Sequence, residues 1–117
     1  MDTRRLIQIV RDQVRLSTAG LDRDGTLEMY IEEIPVILSN RKARRQFGFF
    51  HGLGPGDVGR IVMNAGLNNT EQAFVSTLFH EFAHAVCHWV HGRSADTHGP
   101  KWKAIMVQLG QAPERCG

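Results

Sequence analysis

Residues 70–92 read TEQAFVSTLFHEFAHAVCHWVHG, and the fold turns on this stretch. Val75, Leu78, Phe82, Ala85 and Trp89 recur at spacings of three and four, which predicts one long helix with an apolar stripe against the sheet and the first helix. The helix is expected to start near Asn68-Asn69-Thr70, with Asn68 or Asn69 as cap and Glu71 or Gln72 reaching back. Gly92 should end it. Ser76, Thr77, His80, His84, Cys87 and His91 fall on another face. Residues four apart on a helix lie one turn apart on the same side, so His80 and His84 can bind one metal ion. Glu81 lies about 100° round from His80, where its carboxylate can reach a metal-activated water rather than the metal itself. This is the HExxH spacing of zinc hydrolases.

A catalytic zinc takes a third protein ligand and keeps one position open. His88 lies about 12 Å along the helix axis from His80, too far to join both histidines at one tetrahedral ion, and His91 is farther still. The longer pattern HExxHxxGxxH requires Gly at 87 and His at 90, where this chain has Cys87 and Val90. Asp96 is one alternative, as a carboxylate ligand. His98 is the better choice, because it follows a loop long enough to turn back and precedes Pro100, which suits the first turn of another helix. Trp102, Ile105, Met106 and Leu109 supply that helix with an apolar face, and Gly110 should end it. Cys87 reads as a small buried residue beside the site, since nothing nearby would activate its thiol.

Working outward, Leu6, Ile9, Val10 and Val14 predict an amphipathic N-terminal helix over 3–16. Its apolar residues are threaded with charges, so a signal peptide is not expected there. Residues 17–26 collect Ser, Thr, Gly and Asp and read as a loop. Asp22 to Gly25 lacks the remaining ligands of a calcium loop. From Leu27 to Ala65 the texture reads as strands: Ile34 to Leu38 with Pro35 at its start, Gln46 to Phe50, and Val58 to Asn64. The turn from His51 to Asp57 lacks phosphate-loop spacing. Short strands with tight connections predict a small three-stranded antiparallel sheet. The expected class is therefore α+β: an N-terminal helix, that sheet, the long metal-binding helix and a C-terminal helix.

The 117 residues are expected to form one domain spanning 1–117. No apolar run approaches the ~20 residues that cross a bilayer. With Cys87 and Cys116 as the only cysteines, a reducing, cytoplasmic location is expected. Net charge is +2, which excludes a polycation overall. Arg41, Lys42, Arg44 and Arg45 nevertheless gather four cations in five residues. They are either a solvated turn or strand edge, or a phosphate-contacting patch for nucleic acid such as DNA.

His80-Glu81-x-x-His84 followed by His98-Gly99-Pro100-Lys101-Trp102 resembles the SprT-like metallopeptidases, whose pattern is HExxH, a variable loop, then HGxx and a bulky residue. The strand from Arg60 to Asn64 also resembles that family's layout. The resemblance implies a minimal zincin-like fold and a zinc-dependent peptidase acting on DNA-associated proteins. Many members carry a C-terminal zinc ribbon, and here Cys116 is the only cysteine past the core, which leaves either a short member or one whose ribbon was cut off. The mechanism expected is metal-assisted amide hydrolysis. His80, His84 and His98 hold Zn²⁺, Glu81 acts as general base and acid, and the edge of strand 60–64 pairs with an extended substrate. Tyr30 and His51 are candidates for steadying the oxyanion. The competing reading is a non-catalytic, zinc-containing nucleic-acid-associated or partner-binding module, which four protein ligands on the metal would favour. Composition leaves the oligomeric state open.

Overall fold

The computed structural model describes residues 1–39, 47–52 and 59–113. The cations Arg41, Lys42, Arg44 and Arg45, the segment Leu53 to Asp57 and Cys116 lie outside the described residues. Among the described residues no helix is long and apolar enough to cross a membrane.

Helix α1 spans Thr3–Ser17 and is capped by Asp2, whose carboxylate accepts from the Arg5 N–H at 3.1 Å. It buries Val10 and Val14. The next element departs from the strand texture expected from Leu27 onward. Thr26–Glu33 forms a helix, α2. Asp22 holds its start, with Oδ1 accepting from the N–H groups of Gly25 and Leu27 and Oδ2 from that of Glu28. Gly25 takes the left-handed φ of 83° that turns the chain into the helix. Leu27, Tyr30, Ile31 and Ile34 bury one face at helical spacing. The far end is closed from α1, where Arg11 donates to the carbonyls of Ile31 (2.6 Å), Glu32 (3.1 Å) and Ile34 (2.8 Å). These are the carbonyls a helix leaves without internal partners.

The sheet is mixed, not antiparallel throughout. Its strands are β1 (Val36–Ser39), β2 (Gly48–His51) and β3 (Arg60–Asn64), in the order β1-β3-β2. β3 runs parallel to β1, with Val36 opposite Ile61, and antiparallel to β2, with Phe50 opposite Ile61. Chain directions alternate in either a meander or this order. Burial separates the two. β3 carries the fully buried Ile61 and Met63 and takes the centre, whereas β1 exposes Ile37 and Leu38 and takes an edge. Both edges of β3 are therefore paired, so strand 60–64 cannot receive a substrate strand; the edge strand facing the long helix is β2.

That helix, α3, spans Glu71–His91 and ends at Gly92 with φ 57°. Its cap is Thr70, whose side chain accepts from Ala73 N–H at 3.1 Å, and not Asn68 or Asn69. Asn68 is fully buried and donates to the carbonyls of Phe47 and Asn64, both at 2.8 Å, while accepting from the Thr77 hydroxyl at 2.9 Å. It ties the start of β2 and the end of β3 to α3. The buried surface of α3 is wider than one stripe: Phe74, Phe79, Ala83 and Val86 are buried along with Leu78, Phe82 and Ala85, because α1, α4, α2 and the sheet all pack on it. Trp89 is instead partly exposed and stacks on Tyr30, with ring centroids 4.5 Å apart. Helix α4 (Pro100–Gln108) closes the fold, with Pro100 in its first turn and Gly110 past its end at φ 74°.

Candidate metal centre

Helical spacing places His80 and His84 one turn apart, and the loop before α4 returns His98 to them. The three Nε2 atoms form a near-equilateral triangle, with His80 to His98 3.0 Å, His84 to His98 3.1 Å and His80 to His84 3.2 Å. A neutral imidazole offers one donor and one acceptor nitrogen, so three mutually adjacent nitrogens cannot all be satisfied by one another. What satisfies such a set is a cation. Ligand nitrogens at ~2.0–2.1 Å from a tetrahedral zinc are about 3.3 Å apart, close to the spacing seen. The three histidines could hold a metal ion.

Electrostatics agree with neutral, ligand-ready imidazoles at His80 and His84. Burial, then the neighbouring His98, lowers the His80 pKa to about 4. Burial, then His80 and His98, lowers that of His84 to about 3, against a smaller opposing pull from Asp96. Beneath the rings lies Trp102, fully buried, with its ring centroid 4.8 Å from those of His80 and His98 and 5.4 Å from that of His84. The sequence places Trp102 on the apolar face of the last helix and as the bulky residue after His98-Gly99-Pro100, but does not by itself place it against the histidines.

His98 has φ 70°, the one positive φ at a non-glycine among the described residues. An L-residue held in this left-handed region costs ~1–2 kcal/mol. Asp96, the alternative ligand, does not join the histidines. Its Oδ2 accepts from the Lys101 N–H and its Oδ1 from the Trp102 N–H, each at 2.9 Å. Burial pushes its pKa up, but these donors, with the charge of Lys101, outweigh that and hold it below the usual carboxylate value. Cys87 is buried and free, its thiol pushed up by burial and bonded to the Asp96 backbone.

Glu81 points the other way, towards β2. It is 5% exposed. Burial raises its pKa to about 8, opposed by donation from the Phe50 backbone N–H. That N–H is available because of the ladder. Asn64 N–H bonds the Phe47 carbonyl at 2.9 Å, so with the observed register the bonded pairs are 47/64, 49/62 and 51/60. The backbone groups of Gly48 and Phe50 consequently point away from β3.

A cleft of about 390 Å³ joins these parts, lined by Gly48, Phe49, Phe50, His80, Glu81, His84, His88 and residues 95–98. His88 and His91 are not in the triad; His88 lines the cleft with its ring 5.7 Å from that of Phe50. Tyr30 is buried in the core, where desolvation raises its pKa, and His51 is exposed at the end of β2. Neither lines the cleft.

A model of the SprT-like family matches residues 12–116. No curated protein and no solved structure matches the chain.

Proposed function

The chain belongs to the SprT-like family, and from that premise we propose that it is a zinc-dependent peptidase with His80, His84 and His98 as metal ligands and Glu81 as the catalytic carboxylate. One observation carries this reading. Three ring nitrogens converge at 3.0–3.2 Å beside a buried carboxylate, in a cleft also lined by β2, an edge strand among the described residues. A zinc ion bound by the triad would supply Lewis-acid chemistry, acidifying a water and polarising a carbonyl. The residues do the rest. Glu81 takes a proton from the attacking water and returns it to the leaving nitrogen. Its raised pKa suits a group that must both accept and release a proton near neutrality. The Phe50 N–H holds the carboxylate facing the cleft. The outward groups of β2 that Glu81 does not engage, those of Gly48 and the Phe50 carbonyl, receive an extended peptide by strand addition.

Among the described residues the triad has three members, and the alternative ligand nearby, the Asp96 carboxylate, is committed to α4. That supports an open coordination position over a closed structural site. DNA-associated proteins are the proposed substrate class, with contact through Arg41, Lys42, Arg44 and Arg45. The test is proteolysis of a DNA-binding protein with and without DNA, comparing wild type with Glu81→Gln. We expect cleavage by wild type alone with equal zinc content in both; cleavage by the variant would remove Glu81 from the mechanism.

A further inference from the structure

We propose that Asp96 is a positioning residue, holding His98 where its ring meets those of His80 and His84, so that metal affinity depends on a carboxylate that is not a ligand. The inference rests on the metal-site reading but not on peptidase activity.

The geometry is local and closed. Asp96 reaches forward over His98 and Gly99 to the Lys101 and Trp102 N–H groups, two of the donors that the first turn of α4 leaves without helical partners. His98 is thus inside a short loop pinned at both ends. Such a loop gives the chain few routes, and the one taken puts His98 at φ 70°. Gly99 makes room for this. A Cβ there would meet Asp96 Oδ2 at 2.7 Å and Cγ at 2.8 Å, although the φ of −88° at Gly99 would suit any residue. Glycine is therefore required by the approach of the carboxylate, not by the backbone. The loop is also tied from outside. Lys101 Nζ donates to the Ser94 carbonyl at 2.6 Å, and the Asp96 backbone is bonded to Cys87 of α3. Groups that orient metal ligands commonly change metal affinity 10–100-fold when removed.

The experiment measures Zn²⁺ affinity of the full chain by competition with a chromophoric chelator, and the visible spectrum of the Co²⁺ form. It compares wild type, Asp96→Ala, Asp96→Asn, His98→Ala and the Asp96→Ala/His98→Ala double variant. Asp96→Ala should weaken Zn²⁺ binding about 10–100-fold and move the Co²⁺ spectrum towards that of His98→Ala. The double variant should bind no more weakly than His98→Ala alone, because a residue acting through His98 has nothing left to act on. Asp96→Asn keeps the shape but turns one acceptor into a donor facing an N–H, so it should fall between. It carries the test if Asp96→Ala does not fold. Affinities within twofold of wild type, or losses that multiply in the double variant, would overturn the inference. A wild type that binds neither ion would overturn the metal reading and this inference with it. Bound zinc without proteolysis would count against the peptidase reading alone.

Discussion

The backbone N–H of Phe50 donates to the carboxylate of Glu81. One hydrogen bond thus joins β2, an edge strand among the described residues, to the helix that carries the metal motif. Because that N–H faces away from β3, it can be removed without breaking the ladder. Phe50→Pro should therefore keep the sheet, since an edge strand tolerates proline. Peptidase activity should drop about 10-fold or more through misplacement of the carboxylate. Phe50→Ala, which keeps the N–H, is the control. Equal activity in the proline and alanine variants would show that the carboxylate is held by something else.

Glu81 should make the metal-free protein sensitive to alkali. Its folded pKa of about 8 lies above the ordinary 4.5, so the fold favours the protonated acid. The stability associated with it is fully present below about pH 4.5 and is lost as pH rises through about 8. The shift corresponds to on the order of 5 kcal/mol when complete. Glu81→Gln keeps an acceptor for the Phe50 N–H and cannot ionise. In thermal melts with chelator present, the variant should gain on wild type steadily from pH 5 to about pH 8 and level off above it. A constant difference in Tm across that range would contradict the raised pKa.

The histidines should have the opposite effect. With folded pKa values of about 4 for His80 and about 3 for His84, below the ordinary 6.5, the unfolded chain takes up protons first on acidification. Metal-free stability is therefore intact above about pH 6.5 and declines as pH falls towards those values. A His80→Ala/His84→Ala variant should lose less stability between pH 7 and pH 5 than wild type, measured by urea titration in chelator. Parallel losses would mean that the imidazoles titrate normally in the fold.

Asn68 is a structural test of the same cleft. Asn68→Ala leaves the carbonyls of Phe47 and Asn64 and the Thr77 hydroxyl short of a buried partner. Each such loss costs ~1–3 kcal/mol, so a total destabilisation of about 3 kcal/mol is expected in denaturant titration, with faster amide exchange in β2. A change below about 0.5 kcal/mol would show that another group takes over.

The long helix was legible in the sequence because 21 residues of period outweigh local ambiguity. Gly92 marked its end, and the spacing of His80, His84 and His98 pointed to one cluster. Helix α2 was not recognised, although Leu27, Tyr30, Ile31 and Ile34 carry helical spacing. It has eight residues, Pro35 and a β-branched run follow at once, and its ends are secured by Asp22 and by Arg11 from another helix. Strand order was hidden for a different reason. Alternating directions fit two orders, and only relative burial puts Ile61 and Met63 in the middle. The capping role of Asp96 was likewise illegible, since a carboxylate near three histidines reads as a ligand until its oxygens are seen to face N–H groups.

The left-handed backbone at His98 implies a conflict between folding and chemistry at that one position. Asn and Gly accept that conformation more readily than His does. His98→Gly or His98→Asn should therefore leave the metal-free protein as stable as wild type or more so, by up to about 1 kcal/mol, while weakening metal binding. Selection for stability alone would drift away from histidine here, so its presence is most simply read as the mark of selection for what the imidazole binds.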